Sequence, residues 1–116
     1  MYFNFKLFSV LAAKAYRNLG SSDYTLSEVL AVFEYYFSRY EAEREEAHPN
    51  IRMEQIERII VIMPSLDDAG NRDIDPEGYE VLIDKHFLTQ YRNCDYNINH
   101  FFSGDIRQLR LYEELY

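Results

Sequence analysis

Apolar residues recur every three or four positions through four long stretches of the chain, and polar clusters containing Gly or Pro separate them. That period predicts helices. From Asn4 to Leu19 the set Leu7, Phe8, Leu11, Ala12, Ala15 and Leu19 marks an inward face, and Gly20 is a C-terminal stop. The alternation Phe3-Asn4-Phe5-Lys6-Leu7 admits a short strand as a rival for the first turns. A second helix is predicted from Thr25 to about Glu46. It opens with a Thr25-x-x-Glu28 capping box, and Tyr24 and Val29 stand at the staple positions. Val29, Phe33, Tyr36 and Tyr40 form its apolar row, beside Leu26, Leu30 and Phe37. Its last turns, from Glu41, carry no large apolar residue and are expected in solvent.

His48-Pro49-Asn50 breaks this helix, because proline restricts the residue before it and cannot continue the ladder. A third helix, Ile51 to Met63 with Asn50 as cap, is apolar nearly all round at its end and is expected at the centre of the bundle. Pro64 to Ile74 reads as a polar loop. Asp75 and Pro76 then read as N-cap and first helical residue of a fourth helix ending near Tyr91, with Tyr79, Leu82, Ile83, Phe87 and Tyr91 inward. The stretch Asn93 to Gly104 must turn this helix into the last one while burying Tyr96, Ile98, Phe101 and Phe102. Asn97 can cap a single turn, Ile98 to Phe102. Ser103 or Asp105 starts the final helix, with Ile106, Leu109, Tyr112 and Leu115 inward. The fold class read from this pattern is all-α: a compact single-domain bundle of about five helices over residues 1–116.

Charge narrows the partners. The net charge is −8, which disfavours a nucleic-acid backbone or an anionic membrane as the main partner. No run approaches the ~20 apolar residues of a membrane span, and the N-terminal residues lack the pattern of a signal peptide. A cytoplasmic location is expected. A single cysteine excludes an internal disulfide and a four-cysteine zinc site. With 11 Tyr, 8 Phe and no Trp, tyrosine is expected along the core boundary, ring inside and hydroxyl at the edge.

Candidate chemistry concentrates in the Asn93–Gly104 block. Cys94, His100 and nearby Asn or Asp form the residue set of a cysteine nucleophile, which requires an exposed thiol of lowered pKa beside the imidazole. No oxyanion-hole glycine pattern accompanies them, so no catalytic residue is assigned. Asp95, Asn97, Asn99 and His100 form a candidate polar turn, read first as cap chemistry and alternatively as a recognition edge. His48, His86 and His100 lack metal-ligand spacing, and no metal or cofactor is assigned. Asn71-x-Asp73-x-Asp75 begins like a calcium loop, but Pro76 and Leu82 occupy the positions that need Gly and Glu. Lys85, Arg92, Arg107 and Arg110 are candidate contacts to phosphate or a partner, set against ordinary pairing with neighbouring acids.

The segment Asn93-Cys94-Asp95-Tyr96-Asn97-Ile98-Asn99-His100-Phe101-Phe102-Ser103-Gly104-Asp105-Ile106-Arg107, closing in Tyr112-Glu113-Glu114-Leu115-Tyr116, resembles the C-terminal part of small uncharacterised proteins of phages, plasmids and conjugative elements of Gram-positive bacteria. The His48-Pro49 break followed by Met53-Glu54-Gln55-Ile56-Glu57-Arg58 is similar to a second segment of them. The resemblance implies a bacterial cytoplasmic setting and an accessory role on a mobile element, and it transfers no site residue. The leading expectation is a non-enzymatic module that binds another protein. A nucleic-acid-binding protein using the last helix is the alternative, and a cysteine-dependent hydrolase the third. Oligomeric state is left open.

Overall fold

The computed structural model describes residues 3–20, 22–66, 72–89, 94–103, 106, 107 and 110. They form an all-α bundle with no strand among them: α1 (Phe5–Leu19), α2 (Leu26–Arg44), α3 (Met53–Ile62), α4 (Pro76–Leu88) and the short α5 (Ile98–Phe101). Ile106, Arg107 and Arg110 are helical as well. Most of the final helix expected from Ser103 or Asp105, with Leu109, Tyr112 and Leu115, and also Tyr91, lie outside the described residues.

Local chemistry explains the boundaries. Asn4 caps α1, its side chain accepting the Leu7 N–H at 3.0 Å, so these first turns are helix rather than strand. Gly20 closes α1 at φ 82°, a conformation glycine adopts without Cβ strain. The capping box of α2 is complete: Thr25 Oγ1 accepts from Glu28 N–H at 3.2 Å, and Glu28 Oε1 from Thr25 N–H at 2.9 Å. Asp75 and Pro76 start α4 as the sequence predicts, but the Asp75 carboxylate bonds to Arg72 instead of capping the helix.

Three expectations are corrected. First, α3 begins at Met53, with Arg52 and not Asn50 at the N-cap, where the Gln55 side chain accepts the Arg52 N–H. Second, α3 is not buried all round, since Val61 is 60% exposed. α1 has two packing partners, α3 and α2, and so does α2, which takes α4 on one part of its surface and α1 on another. The buried Val29, Val32, Phe33, Tyr36, Phe37 and Tyr40 of α2 supply the broad apolar surface this requires. Third, α1 buries Phe8, Ala12 and Ala15, not Leu7 and Leu11. The alanines present little bulk to the neighbouring helices, so contact centres on their row and the leucines turn outward. The end of α2 lies in solvent as expected, with residues 42–47 exposed, while Glu41 at its start accepts the Phe3 N–H.

The loop before α4 is pinned to α2. Arg72 donates to Glu28, Asp75 and the Asp23 carbonyl, and its guanidinium lies 4.8 Å from the Tyr24 ring centroid. Its hydrogen bond, followed by that from the Thr25 backbone, draws the Glu28 carboxyl down to about 2. Asp73 meanwhile accepts the Leu66 N–H at 2.6 Å. The calcium-like acids are thus engaged in holding the loop. No helix among the described residues is long and apolar enough to cross a membrane.

Candidate functional site

The Cys94–Ser103 block is clasped from several sides. Tyr36 on α2 donates its hydroxyl to the Tyr96 carbonyl at 2.6 Å, and the Tyr96 hydroxyl donates to the Thr89 carbonyl at the end of α4, also at 2.6 Å. Arg58 on α3 donates to the Phe102 carbonyl at 3.0 Å. Beyond α2, His48 Nε2 accepts the Ile98 N–H at 2.9 Å. Ile98, Phe101 and Phe102 are fully buried, and the Tyr96 ring stacks on Phe87 at 5.4 Å. Tyr96 has φ 58°, a strained value for a bulky side chain, and these hydrogen bonds hold it there.

The polar turn is cap chemistry in this geometry. Asn97 is the N-cap of α5 and accepts the Asn99 N–H at 2.9 Å; Asp95 accepts the Asn97 N–H at 3.0 Å; the Asn99 amide donates to Asn97 Oδ1 at 3.1 Å. The His100 ring is exposed, and Cys94 is half-buried with its sulfur accepting the Tyr96 N–H. Among the described residues no hydrogen bond joins Cys94 to His100, so the thiol–imidazole arrangement of a nucleophile is not assembled. Nor do the described residues gather three or more His, Cys, Asp or Glu into a metal-binding cluster.

The cationic candidates are scattered. Arg107 is 7% exposed and its Nη1 donates to the carbonyls of Ile62 and Ser65 and to the Tyr79 hydroxyl, at 2.7–3.0 Å. Arg110 is 2% exposed and donates to His86 Nδ1 at 3.2 Å. Both guanidiniums therefore tie the chain end to α3 and α4 and contribute little to a surface patch. Lys85 stands half-buried on α4, and Arg92 lies outside the described residues. Burial first, and then the charge of Arg110, brings His86 down to about 3, so that imidazole is neutral at ordinary pH.

A different surface is open, and the sequence reading did not single it out. Leu7 and Val10 are about 60% exposed and Leu11 39% exposed, at i, i+3, i+4 on the outer face of α1. Lys6, Lys14 and Arg17 share that exposed side. None of the three makes an ion pair among the described residues. At the start of the helix a groove of about 280 Å³, lined by Phe3, Asn4, Leu7, Phe8, Leu11, Asn50 and Ile51, adjoins the stripe. One signal was present in the sequence: residues 1–22 hold these three cations and no acid, leaving nine cations against twenty acids in the rest of the chain. The outer face of α1 is thus a cationic, apolar strip on an acidic protein.

No family model, no curated protein and no solved structure matches the chain.

Proposed function

We propose that the chain is a non-enzymatic protein-interaction module, and that the outer face of α1 is its contact surface. One observation carries this reading: three adjacent aliphatic side chains, Leu7, Val10 and Leu11, remain in water on a helix whose other side is fully used by the core. Leaving apolar surface in water forgoes about 25 cal/mol per Å² of burial, and contiguous exposed patches mark interaction sites. The flanking Lys6, Lys14 and Arg17 would select an acidic partner surface and steer its approach. The nucleic-acid alternative loses support because Arg107 and Arg110 are occupied with internal acceptors. The hydrolase alternative loses support because Cys94 and His100 are not hydrogen-bonded to each other. The bacterial cytoplasm, on a mobile element, remains the proposed setting, resting on the resemblance of residues 48–58 and 93–107.

Affinity capture with three baits tests the reading. Wild type and Cys94→Ser should retain the same partner protein, and Leu7→Glu with Val10→Glu should lose it while melting like wild type. Retention by the double variant, or loss on Cys94→Ser, would move the contact surface elsewhere.

A further inference from the structure

The cationic strip has a counterpart on the same chain. Asp73, Asp75, Glu77, Glu80 and Asp84 crowd the entry and first turns of α4. Beside them opens a groove of about 400 Å³ with Leu66, Ile74, Val81 and Leu82 in its lining, together with Asp73, Asp75 and Glu77. Val81 is 45% exposed there, and Leu88 one heptad on is 75% exposed. Asp75 is committed to Arg72, and Asp84 to Arg39 and Tyr35. Glu77 and Glu80 are exposed and make no ion pair among the described residues. One helix therefore offers aliphatics among unpaired cations, and another offers aliphatics among unpaired carboxylates. Within one chain α1 packs on α2 and α3 while α4 packs on α2, so each keeps its outer face.

We infer that a second copy of this chain occupies the α1 face, meeting it with the groove and outer face of α4. This rests on the α1 surface proposed above and names its partner. Leu7, Val10 and Leu11 of one protomer would enter the groove of the next, with Lys14 and Arg17 opposite Glu77 and Glu80. The two surfaces differ, so the contact is head-to-tail and leaves one of each free at the ends of any open assembly. A net charge of −8 opposes an anionic bilayer as the occupant. The patches are small, so the association is transient and salt-sensitive.

Sedimentation velocity over a concentration series tests this. The average mass of wild type should rise with concentration, less so in high salt. Lys14→Glu with Arg17→Glu should weaken association about tenfold or more, and so should Glu77→Lys with Glu80→Lys. Mixed in equal amounts, these two variants should associate again, since the unaltered faces meet at one contact and the two reversals face each other with opposite signs at the other. Thermal melts confirm folding; if Glu77→Lys unsettles the first turn of α4, Glu80→Lys alone replaces the pair. A wild type that stays monomeric, association indifferent to both charge reversals, or a mixture that does not associate would each overturn the inference. So would binding of monomeric protein to vesicles of phosphatidylserine and phosphatidylcholine that is lost with Leu7→Glu and Val10→Glu. If wild type is monomeric yet that double variant loses a captured protein, only the choice of partner fails. If capture is also unaffected, the α1 surface fails with it.

Discussion

His48 Nε2 accepts the Ile98 N–H at 2.9 Å across fifty residues of chain. Its Nδ1 lies 2.7 Å from the Pro49 carbonyl, which only accepts, so Nδ1 carries the proton and the ring is neutral. The imidazole is 2% exposed and is walled by Phe3, Tyr36, Phe37 and Tyr40. It joins the exit from α2 to the start of α5. A protonated ring has no acceptor for Ile98, and burial accordingly lowers the pKa of His48.

Acid should therefore loosen the fold before most carboxylates titrate. His48 and His86 both have folded pKa values below the ordinary 6.5, so the unfolded chain binds protons first as pH falls. Their contribution is complete above pH 6.5 and is lost progressively below it, with His86 continuing to about pH 3. Thermal melts between pH 7.5 and 4.5 should show the midpoint falling. His48→Gln keeps an acceptor that does not titrate and should flatten the upper part of that fall. Equal slopes for both proteins would remove His48 from the account.

Arg107 should matter to stability and not to phosphate binding. Arg107→Met removes a buried charged donor shared by the Ile62 and Ser65 carbonyls and the Tyr79 hydroxyl, with a cost of about 1–3 kcal/mol in urea melts. An unchanged melt with altered affinity for duplex DNA would restore the phosphate role.

Thr25→Ala should cost about 1 kcal/mol, the usual value of a lost N-cap. Both halves of the box are present, and Tyr24 and Val29 behind it are buried. The check is the urea midpoint at constant m-value.

Phe101→Ala should cost roughly 3–5 kcal/mol, because the ring is 0% exposed and packs against Tyr36, Tyr79, His86 and Phe102. Cys94→Ser should leave the melt nearly unchanged, since among the described residues the half-buried sulfur accepts a single hydrogen bond, from Tyr96 N–H at 3.4 Å, which a serine oxygen can also accept. The reverse ranking in parallel denaturant melts would make the block a site rather than a clasp.

The helices were legible in the sequence wherever a local signal fixed them: Asn4, Gly20, the Thr25–Glu28 box and Asp75-Pro76 act within one turn of themselves. Facing was less legible. The apolar residues of α1 span more of its circumference than the core contacts, and only tertiary packing decided that Phe8, Ala12 and Ala15 go in while Leu7 and Val10 stay out. The inward turn of Arg107 and Arg110 was hidden for the same reason: their acceptors lie on α3, on α4 and in the loop after α3, far away in sequence. The exposed strip on α1 could have been suspected from the absence of acid before Asp23, but charge alone does not reveal that its leucines lack cover.

The most direct test of the α1 surface is crosslinking in the cell, with a photoreactive amino acid placed at position 10 in one sample and at position 100 in another. Val10 and His100 are both exposed, so the two probes sample the rival surfaces equally. The account predicts a discrete protein adduct from position 10, of either this chain or a partner, and none from position 100. An adduct from position 100 alone would contradict it and return the function to the Cys94–Ser103 block.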